Sequence, residues 1–439
     1  MCAKQKHLLF LGSDNCNDAV EVHRRAKQLG YLVTLASLRP SYHSAEVLTY
    51  VDNLWDVNVN SATEVLSKIK ELSPSNCIDG VVTLLDYWVV QAAQICNKLG
   101  LPNIKPEVAE LVRNKYLFRL ELQRTIPELN PKFCIAYTVE EAIAFAKHNG
   151  YPVVAKQQDG FDSRNIQLLR NRTDLGRFFD YAQSWKINAV GQPIAKGVLL
   201  ESYIVGTEYS IETYQCLGGK LRVLGASKKL IYGKNRGAFI KIGAAFPWVS
   251  EEADIAIKAT VTALETLGLS YGIMHTELKM TADGPKLLEI NPRMPGDNLG
   301  VNVIGAAVTV SPAELVPKLA VGESVDCSVI PNIAFAIHRI PAHKNGVLSA
   351  IDISSVIQCD GVEQVKMFPL DLPVKVKQPN CGGDLLGYVI ARGDTASVAL
   401  TRVTNAAKRL MLVINYWWGV YLSFSSPLFL TNIWCLNNE

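Results

Sequence analysis

Paired cysteines are missing from this chain. It holds ten cysteines, no two of them in a C-x-x-C spacing. That excludes a zinc-finger ligand set and a compact disulfide framework, and makes free thiols in a reducing, cytoplasmic setting the expectation. Excess charge of either sign is missing too: 44 basic and 41 acidic residues leave a net charge of +3 over 439 residues. Composition therefore gives no case for nucleic acid or an anionic membrane as partner. The N-terminus has no long apolar run. Leu8 to Gly12, after Lys4 and Lys6, is too short for a signal peptide and reads as a first strand. The next turn, Gly12-Ser-Asp-Asn-Cys-Asn-Asp18, lacks G-x-G-x-x-G spacing, which argues against a dinucleotide site. Internal repeats and low-complexity linkers are absent.

Charge is also absent from Met411 to Asn438, where Trp417, Trp418, Tyr421, Phe424, Phe429 and Trp434 crowd together. The length matches a membrane span. Asn415, three serines, Pro427 and Asn432 interrupt it, so packing on the protein or a partner is the leading expectation and membrane contact the second.

What is present is ample core: 49% of the residues are hydrophobic, enough for two or three domains. His7–Leu11, Tyr31–Ala36 and Asp79–Leu84 read as strands, with helices at Asp18–Leu29 and Trp88–Leu99. Strands alternating with helices predict a doubly wound parallel sheet over 1–112. From Arg113 the texture changes to α+β. Asn114-Lys115-Tyr-Leu-Phe-Arg119 opens a helix, and Val139–Asn149 is another, closed by Gly150 and Pro152. Strands follow at Val153–Lys156, Ile166–Leu169, Gly197–Tyr203 and Tyr209–Cys216, and Gly300–Val310 reads as a buried helix. The expected division is 1–112, 113–310, a C-terminal α+β segment at 311–410 that completes the site, and an apolar tail at 411–439.

The most informative stretch runs from Tyr271 to Arg293. Its Ala282-Asp283-Gly284 centre suits a three-residue hairpin loop with Gly in the left-handed position. Pairing about Asp283 sets Glu277 opposite Glu289 and His275 opposite Asn291, all on one side of the ribbon. Opposed side chains sit roughly 5 Å apart at Cβ, where like charges repel. A divalent cation would turn that repulsion into attraction. Glu277, Glu289 and Asn291 offer only oxygen, which suits Mg²⁺, or Mn²⁺ in its place, carrying nucleotide phosphates. Arg293 follows at the strand end, where it could clamp an anion. The bland alternative is a solvated hairpin with polar residues on its wet face.

Five segments in order carry a resemblance: Asn114-Lys115, Val154-Ala-Lys156, Glu201-Ser-Tyr-Ile-Val-Gly-Thr-Glu208, Met274-His-Thr-Glu277 and Leu288-Glu-Ile-Asn-Pro-Arg293. The chain resembles the carboxylate–amine ligases of the ATP-grasp superfamily, above all the L-amino-acid ligases that make dipeptides, and more distantly biotin carboxylase. The resemblance implies a two-lobed ATP-grasp domain at 113–310. It further implies an ADP-forming ligase that joins a carboxylate to an amine through an acyl phosphate. Lys115 and Lys156 match phosphate-binding lysines. Glu201 matches a position beside the adenine amino group, the backbone at Tyr203 and Ile204 would read the adenine edge, and Glu208 matches a ribose-binding residue. Arg293 would stabilise the transferring phosphoryl group, His275 could meet the acyl group, and Arg339 falls where relatives offer a cation to a substrate carboxylate. Pro295-Gly-Asp-Asn298 resembles a turn beside the acceptor substrate. Gln157 to Asn165 stands where relatives carry a glycine-rich flap, but has one glycine. Ser227 to Gly237 stands where they carry a large loop, and its four basic residues suit a flap over phosphates, a solvated basic loop being the alternative. The implied partners are small-molecule acid and amine substrates, and relatives are often homodimers. A bicarbonate-using carboxylase and a non-catalytic ATP-binding module are the alternatives.

Overall fold

Alternation along the first strand builds two cores at once. In His7–Leu11, Leu8 and Phe10 enter one hydrophobic cluster while Leu9 and Leu11 enter another, so both faces of this sheet are covered. The computed structural model describes residues 5–72 and 77–415. Its N-terminal sheet is parallel, in the order Asn53–Asp56, Leu32–Ser37, His7–Leu11, Gly80–Val82. The doubly wound reading holds. The strand Asn53–Asp56 and the helix Ala62–Leu72 escaped the sequence reading. That strand lies at the sheet edge and buries only Trp55, so its apolar pattern is weak.

A small antiparallel sheet follows, in the order Phe133–Ala136, Val198–Ser202, Val153–Gln157, Ile166–Leu169. Helices Val139–Asn149 and Arg172–Ala182 contribute to the core on one face, which takes Val153, Ala155, Val198 and Leu200. The alternate residues Val154, Lys156 and Glu201 are left to line a cleft. The cleft's other wall belongs to an eight-stranded sheet: Gly284–Asn291, Gly272–Thr281, Thr207–Gln215, Arg222–Tyr232, Ile240–Phe246, Ala334–Arg339, Gly387–Gly393, Val362–Met367. The last three strands come from beyond residue 311 yet continue this sheet. A separate three-stranded sheet pairs Gly346–Asp352 with Val374–Val376 and with Met411–Asn415, the start of the uncharged tail. The rest of that tail lies outside the described residues. Among the described residues no helix is long and apolar enough to cross a membrane, and the described cysteines are free thiols.

Three local expectations are corrected. The helix expected over 300–310 is a single π-type turn, Leu299–Ile304. It stops because Val308 bridges to Val329 and the Ile330 N–H donates to the Ala307 carbonyl, binding the chain as extended backbone. Ser227–Tyr232 is not loop but the end of a strand, with Lys229 buried; only a short turn, Lys234–Arg236, follows. The hairpin closes one residue tighter than expected. Thr281 pairs with Gly284, and an irregularity at Leu288 then restores the Glu277–Glu289 and His275–Asn291 pairs. The Leu288 carbonyl turns to accept from Arg119 Nη2 at 2.9 Å.

Candidate active site

Ten of the twelve residues singled out in the sequence line one cleft between the small and large sheets: Lys115, Lys156, Glu201, Tyr203, Ile204, Glu208, Glu277, Glu289, Asn291 and Arg293. His275 and Arg339 do not line it.

Lys115 starts the helix Lys115–Thr125, whose first N–H groups are capped by the Asn114 side chain. Its ammonium donates to the Gly160 carbonyl at 2.9 Å and lies 3.2 Å from Glu289. One helical turn on, the fully buried Arg119 donates to Glu201 Oε1 at 2.6 Å. Lys156 holds the other oxygen of Glu201 at 2.8 Å. Burial opposes ionisation of Glu201, but Arg119 and then Lys156 overcome it and hold the carboxyl down to about 2. Burial lowers Lys156 to about 8 against the attraction of Glu201, and repulsion by Arg119 adds to the fall.

Glu277 contacts the buried Lys229 and accepts from His275 Nε2 at 2.9 Å. His275 Nδ1 lies 2.8 Å from Glu212, which is wholly buried. Burial would depress this imidazole, yet Glu212 and Glu277 raise it above its ordinary value. Burial likewise works against the Glu277 carboxylate, but Lys229 and then His275 bring it well below the usual range. Asn291 Nδ2 donates to Glu289 at 3.2 Å. Lys229 and Lys115 already offset the opposed carboxylates of Glu277 and Glu289, so their opposition alone does not require a metal. The donor set itself, two carboxylates and an amide on one wall, remains all-oxygen and fits a hard divalent cation.

Arg293 is gripped by Asp86, which opens the short helical turn Asp86–Trp88 after the strand Gly80–Val82. Its Nε and Nη2 donate to the two oxygens of Asp86 at 2.8 and 2.6 Å, and Nη1 donates to the Met294 carbonyl. Burial works against the guanidinium charge, but Asp86 more than offsets it and raises the pKa. Arg339, beyond the cleft, lies 3.0 Å from Asp297 and donates to the Gly382 carbonyl.

The flap has one glycine, yet it adopts the conformations a glycine-rich loop would. Asp162, Ser163 and Asn165 stand at φ of +57°, +55° and +57°. Asn165 Nδ2 donates to Gln157 Oε1 at 2.7 Å, and Arg113 donates to the Asp159 carbonyl.

Sequence reading missed Asp86, Arg119 and Glu212, and placed Lys229 on a loop rather than in the strand where it is buried. Arg119 had a local signal, since it lies four residues after Lys115 on one helix. Asp86 had none, being 207 positions from its partner.

A cleft between two antiparallel sheets, lined by lysines, carboxylates and an arginine, suits a nucleotide-binding class of fold. Comparison with known proteins agrees. A model of the ATP-grasp domain matches residues 149–301, and one of the ATP-grasp N-terminal domain matches residues 23–103. The chain belongs to the ATP-grasp proteins. It is 26% identical over 358 residues to the uncharacterized protein y4rH of Sinorhizobium fredii, covering 81% of this chain and 72% of that one. It is 26% identical over 317 residues to carnosine synthase 1 of Gallus gallus, covering 66% of this chain. The chain spans about a third of that synthase's length, 32%. The crystal structure of L-amino acid ligase from Bacillus licheniformis superposes with a TM-score of 0.75 at 20% identity, over 94% of this chain and all of that one.

Proposed function

We propose that this chain is an ATP-dependent ligase that joins a carboxylate, that of an amino acid, to an amine, releasing ADP and phosphate. One observation carries the reading: two lysines, two carboxylates, an amide and an arginine from scattered segments meet in a single cleft. The carbon–nitrogen ligases among its relatives support it.

In this reading a carboxylate oxygen attacks the γ-phosphorus of ATP, ADP leaves, and an acyl phosphate forms. The amine nitrogen then bonds to the acyl carbon, the C–O bond to phosphate breaks, and the nitrogen loses a proton. Such phosphoryl transfer depends on position and charge more than on covalent help. Lys115 and Lys156 hold phosphate oxygens as compact point charges. Glu201 has both oxygens engaged, so it chiefly orients Lys156 at the base-binding end, where the backbone at Tyr203 and Ile204 faces the adenine. Glu208 takes the ribose hydroxyls. Glu277, Glu289 and Asn291 would hold Mg²⁺, or Mn²⁺, which when bound supplies Lewis-acid neutralisation of the phosphates. Arg293, kept charged by Asp86, stabilises the transferring group. His275 acts through Glu277 as a positioning residue, and Arg339 offers a cation to a substrate carboxylate.

The test is ADP release by the purified protein over a panel of paired acids and amines. Release that needs both substrates supports the ligase. Release driven by bicarbonate alone would make it a carboxylase, and ATP binding without turnover on the whole panel would leave only a binding module.

A further inference from the structure

A charged cluster beside the cleft is, apart from Arg339, outside the chemistry assigned above. Several regions of the chain build it. Asp14 and Asp18 stand in the turn after the first strand and in the first turn of the helix Asn17–Gln28. Asp297 and Asn298, at φ of +62° and +61°, form the turn that follows Arg293. Lys241 and Arg339 reach in from the large sheet.

The charges are unevenly matched. Asp297 has Lys241 at 2.9 Å and Arg339 at 3.0 Å. Asp162, on the flap, has Arg164 at 3.6 Å. Asp14 and Asp18 make no ion pair among the described residues, and Asp297 repels both of them. Asp18 is only 5% exposed. One of its oxygens accepts from the Asn298 N–H at 2.9 Å, while Oδ1 is buried without a hydrogen-bond partner. The neighbouring Asn298 Oδ1 is buried and unpartnered as well. A buried polar atom left bare costs about 1–3 kcal/mol. Burial first, then repulsion by Asp297 and Asp14, push the Asp18 carboxyl up to about 7 against the pull of the Asn298 N–H. The bare atoms of Asp18 and Asn298 are acceptors, so the group that would complete them is a donor, and the carboxylates of Asp14 and Asp18, which have no ion pair among the described residues, favour one carrying positive charge.

The cluster abuts the proposed reaction centre. Asp162 lines the nucleotide cleft, and Asp297 feels the charge of Arg293. Asp14 and Asp297 keep partial exposure, which gives a ligand an approach with Asp18 behind them.

We propose that Asp14 and Asp18, with Asn298, receive the ammonium group of the amine substrate, which is therefore an alkylamine or amino acid carrying no phosphate. The substrate role rests on the ligase reading; ammonium binding as such does not. The exclusion of phosphate follows from Coulomb's law: Lys241, Arg339 and Arg164 offset Asp297 and Asp162, but Asp14 and Asp18 have no cation paired to them among the described residues, and a phosphate dianion would meet them at low effective dielectric.

Binding is measured by calorimetry on the full chain without ATP. The probes are glycine, β-alanine, L-ornithine and 1,4-diaminobutane, with butyrate and phosphoethanolamine as controls. At least one ammonium probe is expected to bind, with both controls weaker by about tenfold or more, a difference of roughly 1.4 kcal/mol. Asp14→Asn and Asp18→Asn should each weaken that probe about tenfold while leaving ATP affinity unchanged. Asp14 is partly exposed, so its variant decides alone if Asp18→Asn fails to fold, as judged by thermal melting. The proposal is overturned if none of the four probes binds at millimolar concentration, if phosphoethanolamine binds as well as they do, or if the variants leave binding within twofold. Ammonium binding without any ADP release supports the site and sinks the ligase reading. ADP release that requires a phosphorylated amine does the reverse.

Discussion

Single side chains here carry charges whose worth depends on who holds them. Glu289 sits at the wall shared by Lys115 and Asn291 and is only partly enclosed. Glu289→Gln should abolish turnover and weaken Mg²⁺ dependence with little change in melting; unchanged activity would remove it from the metal set. Arg293→Ala should lower kcat by about 10²-fold or more with a smaller effect on ATP KM, since the residue's role lies in the transition state. An effect on KM alone would strip it of that role. Glu201 gives a pH signature. Its folded-state pKa of about 2 lies below the ordinary 4.5. A depressed carboxyl stabilises the fold above its unfolded pKa, and that stability is lost as pH falls through the folded one. Unfolding free energy should therefore drop by on the order of a few kcal/mol between about pH 4.5 and 2, and Glu201→Gln should flatten that part of the curve.

At the scale of elements, backbone strain marks the parts that shape the site. Ser163 sits in the left-handed region without being glycine. Ser163→Gly should raise stability by about 1 kcal/mol, because the left-handed penalty for an L-residue disappears. Chemical denaturation measures this, and a loss instead would mean that the serine side chain is needed. The hairpin shows why sequence reading at this scale was nearly right. Period-two alternation determined which residues face the cleft, and Gly284 at φ +92° marks the turn. Local chemistry did not reveal the irregularity at Leu288, because its carbonyl is drawn aside by Arg119, a residue 169 positions earlier.

The whole molecule is joined through its charges as well as its cores. Asp86 belongs to the N-terminal parallel-sheet region and Arg293 to the large sheet, so their two-pronged pair ties two parts of the fold together at the cleft. Breaking a buried pair leaves an uncompensated charge, at about 3–5 kcal/mol. Asp86→Ala should lower the melting temperature and reduce turnover less than Arg293→Ala does. Equal loss of activity in the two variants would make Asp86 as important to the chemistry as the arginine itself.

Periodicity, caps and residue type alone determined the parallel N-terminal sheet, the helices at 115 and 139, and the face on which Glu277, Glu289 and Asn291 stand. These follow from the backbone's two repeats and from short-range hydrogen bonding. Only tertiary structure decided which charges meet. It set Lys229 on Glu277, Arg119 on Glu201 and Asp86 on Arg293, and it withdrew His275 to Glu212. Such pairings join residues distant in the chain, and their strength comes from burial, a property no local pattern records.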